Sequence, residues 1–205
     1  RFLANELFKD SGLVIVDGDH QTLKKQLIPA CKMEIENQMS FYAVKQNIDK
    51  LGNYNIQVNP REINLFYMEK NLRERIIEDN GIYKINNTSL SFSKEEILKL
   101  IDQHPEKFSP NVIIRPLYQE LILPNLCYIG GGGEIAYWLE LKNYFDQMHV
   151  PFPILLLRNS AVIIEEKQLK KIANQNSSIK DLFKKQRELI DQKAMELSSK
   201  SFDFV

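Results

Sequence analysis

The sequence predicts an α/β fold, and three observations carry that expectation. A short apolar run, four consecutive glycines and an amphipathic segment follow one another over residues 126–148. A second apolar run, Ile154 to Leu157, comes directly after, so that strand, helix and strand form a βαβ unit with parallel strands and a right-handed crossover. Finally, 43% of the 205 residues are hydrophobic, enough for one substantial core or a core with an inserted subdomain.

In chain order, Phe2, Leu3, Leu7 and Phe8 predict an amphipathic helix. Ser11-Gly12 breaks it, and Leu13 to Val16 read as a short buried strand. Asp17, Gly18, Asp19 and His20 form a turn cluster. A long helix is expected from about Gln21 to Leu51, interrupted at Pro29 and stopped by Gly52. From Asn55 to Ser91 the runs shorten. Ile56–Val58, Asn64–Met68, Glu74–Glu78 and Ile82–Ile85 read as strands, and Asn80-Gly81 is a hairpin signal. Ser93 to Glu96 is a capping box opening a helix to about Gln103.

Past Val112–Ile114, Arg115 precedes a proline and is expected to be extended. Leu117 to Leu123 should be helical, Leu126 to Ile129 a strand, and Gly130 to Gly133 a loop. Glu134 to Met148 reads as one helix with Trp138 in the core. Ile154 to Leu157 does not alternate, which predicts a strand buried on both faces. The charged tail from Glu165 to Phe202 is expected to be helical, interrupted over Asn174–Ser178 and recapped by Ser178 and Asp181. Ile179, Phe183, Ile190 and Leu197 form a partial heptad seam, read as a coiled coil or as a single surface helix. The expected layout is part of a core with a helical connection over 1–52, an inserted α+β segment over 53–108, the second half of the core with the glycine loop over 109–164, and the start of a helical arm over 165–205.

Composition narrows the function. Lys+Arg and Asp+Glu stand at 27 each, which argues against a nucleic-acid-binding face. Cys31 and Cys127 are far apart, so no disulfide framework is expected and a reducing, cytoplasmic setting fits. No apolar run approaches the roughly 20 residues that span a bilayer, and no signal-peptide pattern occurs. His20, His104 and His149 are scattered, so no metal site is expected. No G-x-S-x-G or P-loop is present. The chain opens at Arg1 in a helical pattern, which reads as a piece of a longer protein whose other residues complete the site.

The chemistry-bearing segment is the glycine run. Gly130, Gly131, Gly132 and Gly133 sit between strand and helix, where backbone can approach a ligand and helix N–H groups face outward, unless they form only a flexible loop. Gly131, Gly133 and Ala136 also fit G-x-G-x-x-A, and Arg158 stands near the end of the next strand. That pair of features supports a rival reading as an NADP-dependent oxidoreductase. Glu134 in the first helical turn either complements the helix dipole or holds a ligand ammonium. Arg158 and Asn159 follow a strand's carboxyl end, where an arginine can clamp a carboxylate or end in an ion pair. Arg115 with Tyr118, and Tyr137 beside Trp138, complete the candidates. A further rival is a non-catalytic scaffold carried by the helical arm.

The segments SPNVIIRPLYQE, LPNLCYIGGGGEIAYWLEL and PFPILLLRNSA, with GLVIVD and NPREINLFYM before them, closely resemble the bacillithiol biosynthesis cysteine-adding enzyme family. The likeness covers most of the chain. One departure is Gly132, where many members carry proline; this should loosen the loop without moving its flanks. The resemblance implies a carbon–nitrogen ligase joining the carboxyl of cysteine to the amine of glucosaminyl-malate. It also implies a Rossmann-like parallel-sheet core, inserted connecting segments, and a coiled-coil region supporting a homodimer. The family's His-bearing first half of the core would lie before Arg1, so these residues alone are expected to be inactive. Amide formation needs an activated carboxyl, for which ATP is the expected source. Within that reading Glu134 is the expected proton acceptor. Arg158 and Arg115 suit the malate carboxylates, and Tyr118, Tyr137, Asn159 and the four glycines line the substrate site.

Overall fold

A computed structural model describes residues 2–52 and 54–198. The chain divides into two compact units, Arg1–Asn159 and Ser160–Val205. In the first unit the order is α1 (Phe2–Phe8), α2 (Gln21–Lys24), α3 (Ile28–Asn37), α4 (Met39–Ile48), β1 (Leu65–Glu69), β2 (Leu72–Asp79), β3 (Ile82–Ile85), β4 (Ser91–Ser93) and α5 (Lys94–Gln103). Then come β5 (Phe108–Pro110), α6 (Arg115–Ile122), β6 (Cys127–Gly130), α7 (Gly132–Glu140), α8 (Lys142–Gln147) and β7 (Ile154–Leu157). The second unit holds α9 (Glu166–Asn174), a 3-10 turn Ile179–Phe183 and α10 (Gln186–Leu197).

Five strands form an antiparallel sheet in the order β4-β3-β2-β1-β5. Its hairpin β2–β3 turns on Asn80 and Gly81, both at positive φ (53° and 80°), the geometry this dipeptide favours. Ser93 closes β4 and caps α5, with both hydrogen bonds of the capping box in place. Strand alternation buries Leu65, Tyr67, Ile76, Tyr83 and Ile85 with Ile97 and Ile101 of α5. Phe66, Met68, Arg73 and Arg75 fall on the opposite face.

Among the described residues the expected parallel core is present as β6 and β7 only, paired in parallel with Gly130 opposite Leu157. Among the described residues the larger sheet is antiparallel. An aromatic cluster seats α7 on the parallel pair: Trp138 is fully buried, 4.4 Å from Tyr128, 5.8 Å from Phe145 and 5.9 Å from Phe152 between ring centres.

Several expectations are corrected. Leu13 to Val16 form no strand, and Val14 is 81% exposed, because an apolar run becomes a strand only where a neighbour offers a ladder. Ile56 to Val58 likewise lie outside any strand. The long helix is interrupted by a 3-10 turn, Lys25–Leu27, just before Pro29, which occupies the first turn of α3 where its missing N–H costs nothing. It breaks a second time at Gln38 (φ 50°), which was not expected. Arg115 is the first residue of α6 rather than extended. The helix expected from Glu134 to Met148 is two, parted at Leu141. β7 is not buried on both faces: Ile154, Leu156 and Leu157 are each more than half exposed, and Leu155 alone is half-buried. In the second unit the recap at Ser178 opens a 3-10 turn, and Asp181 accepts from its backbone N–H at 2.7 Å. The tail beyond Ser198 and the Leu197 side chain lie outside the described residues.

Candidate functional site at the glycine loop

Register puts the loop and Arg158 together. The Arg158 N–H donates to the Gly130 carbonyl at 2.8 Å, continuing the β6–β7 ladder by one residue. Both therefore stand at the carboxyl edge of the parallel pair, where ligands bind in α/β sheets. Close approach explains the first two glycines. A Cβ at Gly130 would lie 2.8 Å from Tyr128 Cε1 and 3.1 Å from Glu134 Cβ. One at Gly131 would lie 3.2 Å from Arg158 Nη2. Gly132 has open space around it, and a Cβ at Gly133 would meet only Gln57 Oε1 at 3.6 Å.

Glu134 turns back over the helix start. Its Oε2 accepts the Gly131 N–H at 2.7 Å and lies 3.8 Å from Arg158 Nη1. The two side chains are 51% and 65% exposed, so the pair is open to a ligand and adds little to stability. A dinucleotide pyrophosphate would need the Gly131 amide that this carboxylate occupies, which weighs against the oxidoreductase reading. Asn159 follows in exposed coil.

The remaining candidates gather elsewhere. The Tyr137 hydroxyl donates to the Val112 carbonyl, and Arg115 lies beside it. Burial pushes this phenol up to about 12, against the opposing pull of Arg115. Tyr118 donates to the Gly18 carbonyl at 2.7 Å; burial, then Asp19 and Asp17, push it up to about 12. Both phenols are therefore neutral hydrogen-bond donors that tie helices to loops, not proton acceptors at neutral pH. Tyr118 and Arg115 share a cleft of about 420 Å³ with Lys24 and Arg73.

A buried polar network, absent from the sequence expectations, positions this region. Glu34 is fully buried and accepts from Ser40 N (3.0 Å), Ser40 Oγ (2.8 Å), Asn64 N (2.7 Å) and Asn64 Nδ2 (3.2 Å). Asn64 Oδ1 accepts from Arg61 N at 3.1 Å and from Asn111 Nδ2 at 2.8 Å. The Asn111 carbonyl accepts the Arg115 N–H at 2.9 Å. Arg61 and Arg115 are thus set by one pair of asparagines. Burial pushes the Glu34 carboxyl up, against the pull of its four donors. Glu140, also buried, accepts from Gln57 N (2.6 Å) and Val58 N (3.3 Å), joining the end of α7 to the segment before β1. No local pattern in the sequence signals this network, because Glu34, Ser40, Asn64 and Asn111 meet only in the fold.

Residues 1–159 match the family described as bacillithiol biosynthesis BshC, N-terminal Rossmann-like domain. Relatives provisionally named cysteine ligase BshC include one from Flavobacterium psychrophilum, 64% identical over all of this chain and 38% of its own length. One from Christiangramia forsetii is 53% identical, again over 100% of this chain and 38% of the relative. One from Staphylococcus aureus is 31% identical over 85% of this chain and 33% of the relative. The chain thus spans little more than a third of the length of the relatives it matches. With the match extending over the parallel pair, the glycine loop and Arg158, the chain belongs to the bacillithiol biosynthesis BshC family.

Proposed function

We propose that the chain is part of a ligase that forms the amide between the carboxyl of cysteine and the amine of glucosaminyl-malate. The observation that carries this reading is the meeting of Glu134, Arg158 and Gly131 at the carboxyl edge of the parallel pair. The sugar amine must lose its proton to attack. Glu134 keeps Oε1 open while Oε2 is held by Gly131, so it can accept that proton without leaving the helix start. Arg158 offers a planar fork to a malate carboxylate, whereas Arg115, expected as the second cation, lines the cleft with Tyr118 instead. The N–H groups of Gly132 and Gly133 have no partner four residues back in α7 and are available to charge developing on the reacting carbonyl. ATP is proposed as the source of carboxyl activation on reaction class alone. Its phosphates do not fit over the Gly131 amide while Glu134 holds it, and no step here passes through the nucleotide.

The wider reading has an N-terminal core interrupted by an α+β connecting segment over 53–108, in a cytoplasmic enzyme of small-molecule substrates. A helical arm from residue 165 would pair two copies. The seam supports that arm: Ile179, Phe183 and Ile190 are each about half exposed or more. These 205 residues alone are proposed to be inactive. The deciding experiment is a mass-spectrometric ligation assay of the intact enzyme with cysteine, ATP and glucosaminyl-malate, beside the same assay of this segment. Absence of product from the intact enzyme overturns the ligase reading, and product from the segment overturns the claim of incompleteness.

A further inference from the structure

The open face of the five-stranded sheet carries a cluster that the glycine loop does not use. Arg73 and Arg75 lie on the same side of β2, away from buried Ile76. The Arg73 guanidinium sits 3.8 Å from the centre of the Phe66 ring, and its Nη2 reaches Ser109 Oγ at 3.4 Å. Stacking of this kind fixes the plane of the guanidinium and leaves N–H edges for an oxyanion. Arg61 and Arg115 approach from the flanks, held by Asn64 and Asn111. The four arginines line a cleft of about 580 Å³. Past Arg73 and Arg115 it continues into the 420 Å³ cleft, where Lys24 is buried against the Phe108 carbonyl.

The charge here is one-sided. Among the described residues no Asp or Glu lines the larger cleft, and in the smaller one Asp19 is spoken for by Lys24 at 3.1 Å. The chain as a whole balances 27 cations against 27 anions, so the excess is local. Converging guanidinium groups repel, and an oxyanion between them removes that cost. Their forks match carboxylate and phosphate oxygens two N–H groups at a time. Four such forks exceed what one oxyanion can engage.

We propose that this cleft binds a small molecule carrying at least two oxyanion groups, carboxylate or phosphate, along its length. The proposal stands independently of the ligase reading. Its test is calorimetric titration of the intact protein with pyrophosphate, a phosphate source, and separately with malate, a carboxylate source. At least one should bind, and more weakly as sodium chloride is raised. Arg73→Gln and Arg75→Gln should each weaken binding by roughly ten-fold or more, the loss of a charged hydrogen bond. Lys142→Gln, which removes an exposed cation that pairs with Asp146 and lines neither cleft, should leave that affinity unchanged, so that the loss belongs to the cleft and not to charge in general. Arg75 is exposed on the strand, so Arg75→Gln tests the proposal even if Arg73→Gln disturbs the Phe66 stack. Binding of pyrophosphate alone assigns phosphate, and of malate alone, carboxylate. Failure of both anions to bind, or equal binding in both arginine variants, overturns the proposal.

Discussion

The carboxylate of Glu134 accepts the amide N–H of Gly131 at 2.7 Å, so the residue proposed to take a proton also closes the turn on which it stands. Glu134→Gln separates the two roles, because the amide oxygen of glutamine can still accept from Gly131 while the charge is gone. If Glu134 accepts the amine's proton, the ligation rate of the intact enzyme should fall by roughly 10²–10⁴-fold. Folding stability should change by only about 0.3–1 kcal/mol, the scale of a helix-dipole interaction. Steady-state rates and urea midpoints read the two together. Near-normal rates would leave Glu134 as a helix cap.

Arg158→Lys keeps a charge and removes the planar fork. Its ion pair with Glu134 is long, at 3.8 Å, and exposed, so stability should move by less than about 1 kcal/mol. The apparent KM for glucosaminyl-malate should rise while that for cysteine stays close to normal, since only the malate arm offers two carboxylates. Equal changes for both substrates would place Arg158 outside the malate pocket.

Local signals were the legible part of this fold. Asn80-Gly81 and the Ser93 box each specify a conformation within four residues, and both stand where the sequence placed them. Parallel pairing of β6 with β7 was legible because a strand, a helix and a strand in succession leave little choice of topology. Leu13 to Val16 failed because strand identity lies in a partner, not in the run itself. Arg115 failed because Asn111 and the first turn of α6 outweigh the preference of a residue before proline. For the candidate site, the order of residues announced the glycine loop but not the arginine cleft. The cleft's residues are 61, 73, 75 and 115, brought together only by sheet pairing and by the Asn64–Asn111 contact.

Asn64 is the keystone of that contact and is fully buried. Asn64→Leu keeps approximate size but strips partners from Glu34, Ser40 and Asn111. Each buried polar group left alone costs about 1–3 kcal/mol, so the intact protein should lose about 3 kcal/mol or more. Urea unfolding reads the loss. A loss below about 1 kcal/mol would mean that water replaces the amide.

Glu34 gives a pH signature. Burial raises its carboxyl above the ordinary 4.5 despite the donors from Ser40 and Asn64. A raised folded value means that its contribution to stability is complete below 4.5 and is lost as pH rises through the folded value. The stability difference between the wild-type protein and Glu34→Gln should therefore shrink across that window. Urea midpoints at a series of pH values measure it. A difference that grows with pH would show that the four donors outweigh burial and hold the carboxylate ionised.

Gly130 and Gly132 should respond oppositely to substitution. At Gly130 an added Cβ falls 2.8 Å from the Tyr128 ring, so Gly130→Ala must push that ring off the Trp138 stack and destabilise the loop. Gly132 is the first residue of α7 and has nothing within 4 Å of an added Cβ. The preceding Gly131 is extended, at φ −72° and ψ 170°, the conformation that a following proline requires. Proline is favoured at a first helical position, where its missing N–H has no helical partner to lose. Gly132→Pro should therefore raise stability by about 0.4–1 kcal/mol by restricting the unfolded chain. It also removes one of the two N–H groups offered to the reacting carbonyl. A stabilised variant with full ligase activity would assign that contact to Gly133 alone, and a stabilised variant with a slower rate would assign it to Gly132. Loss of stability would show that the loop needs glycine there for a conformation other than the one seen.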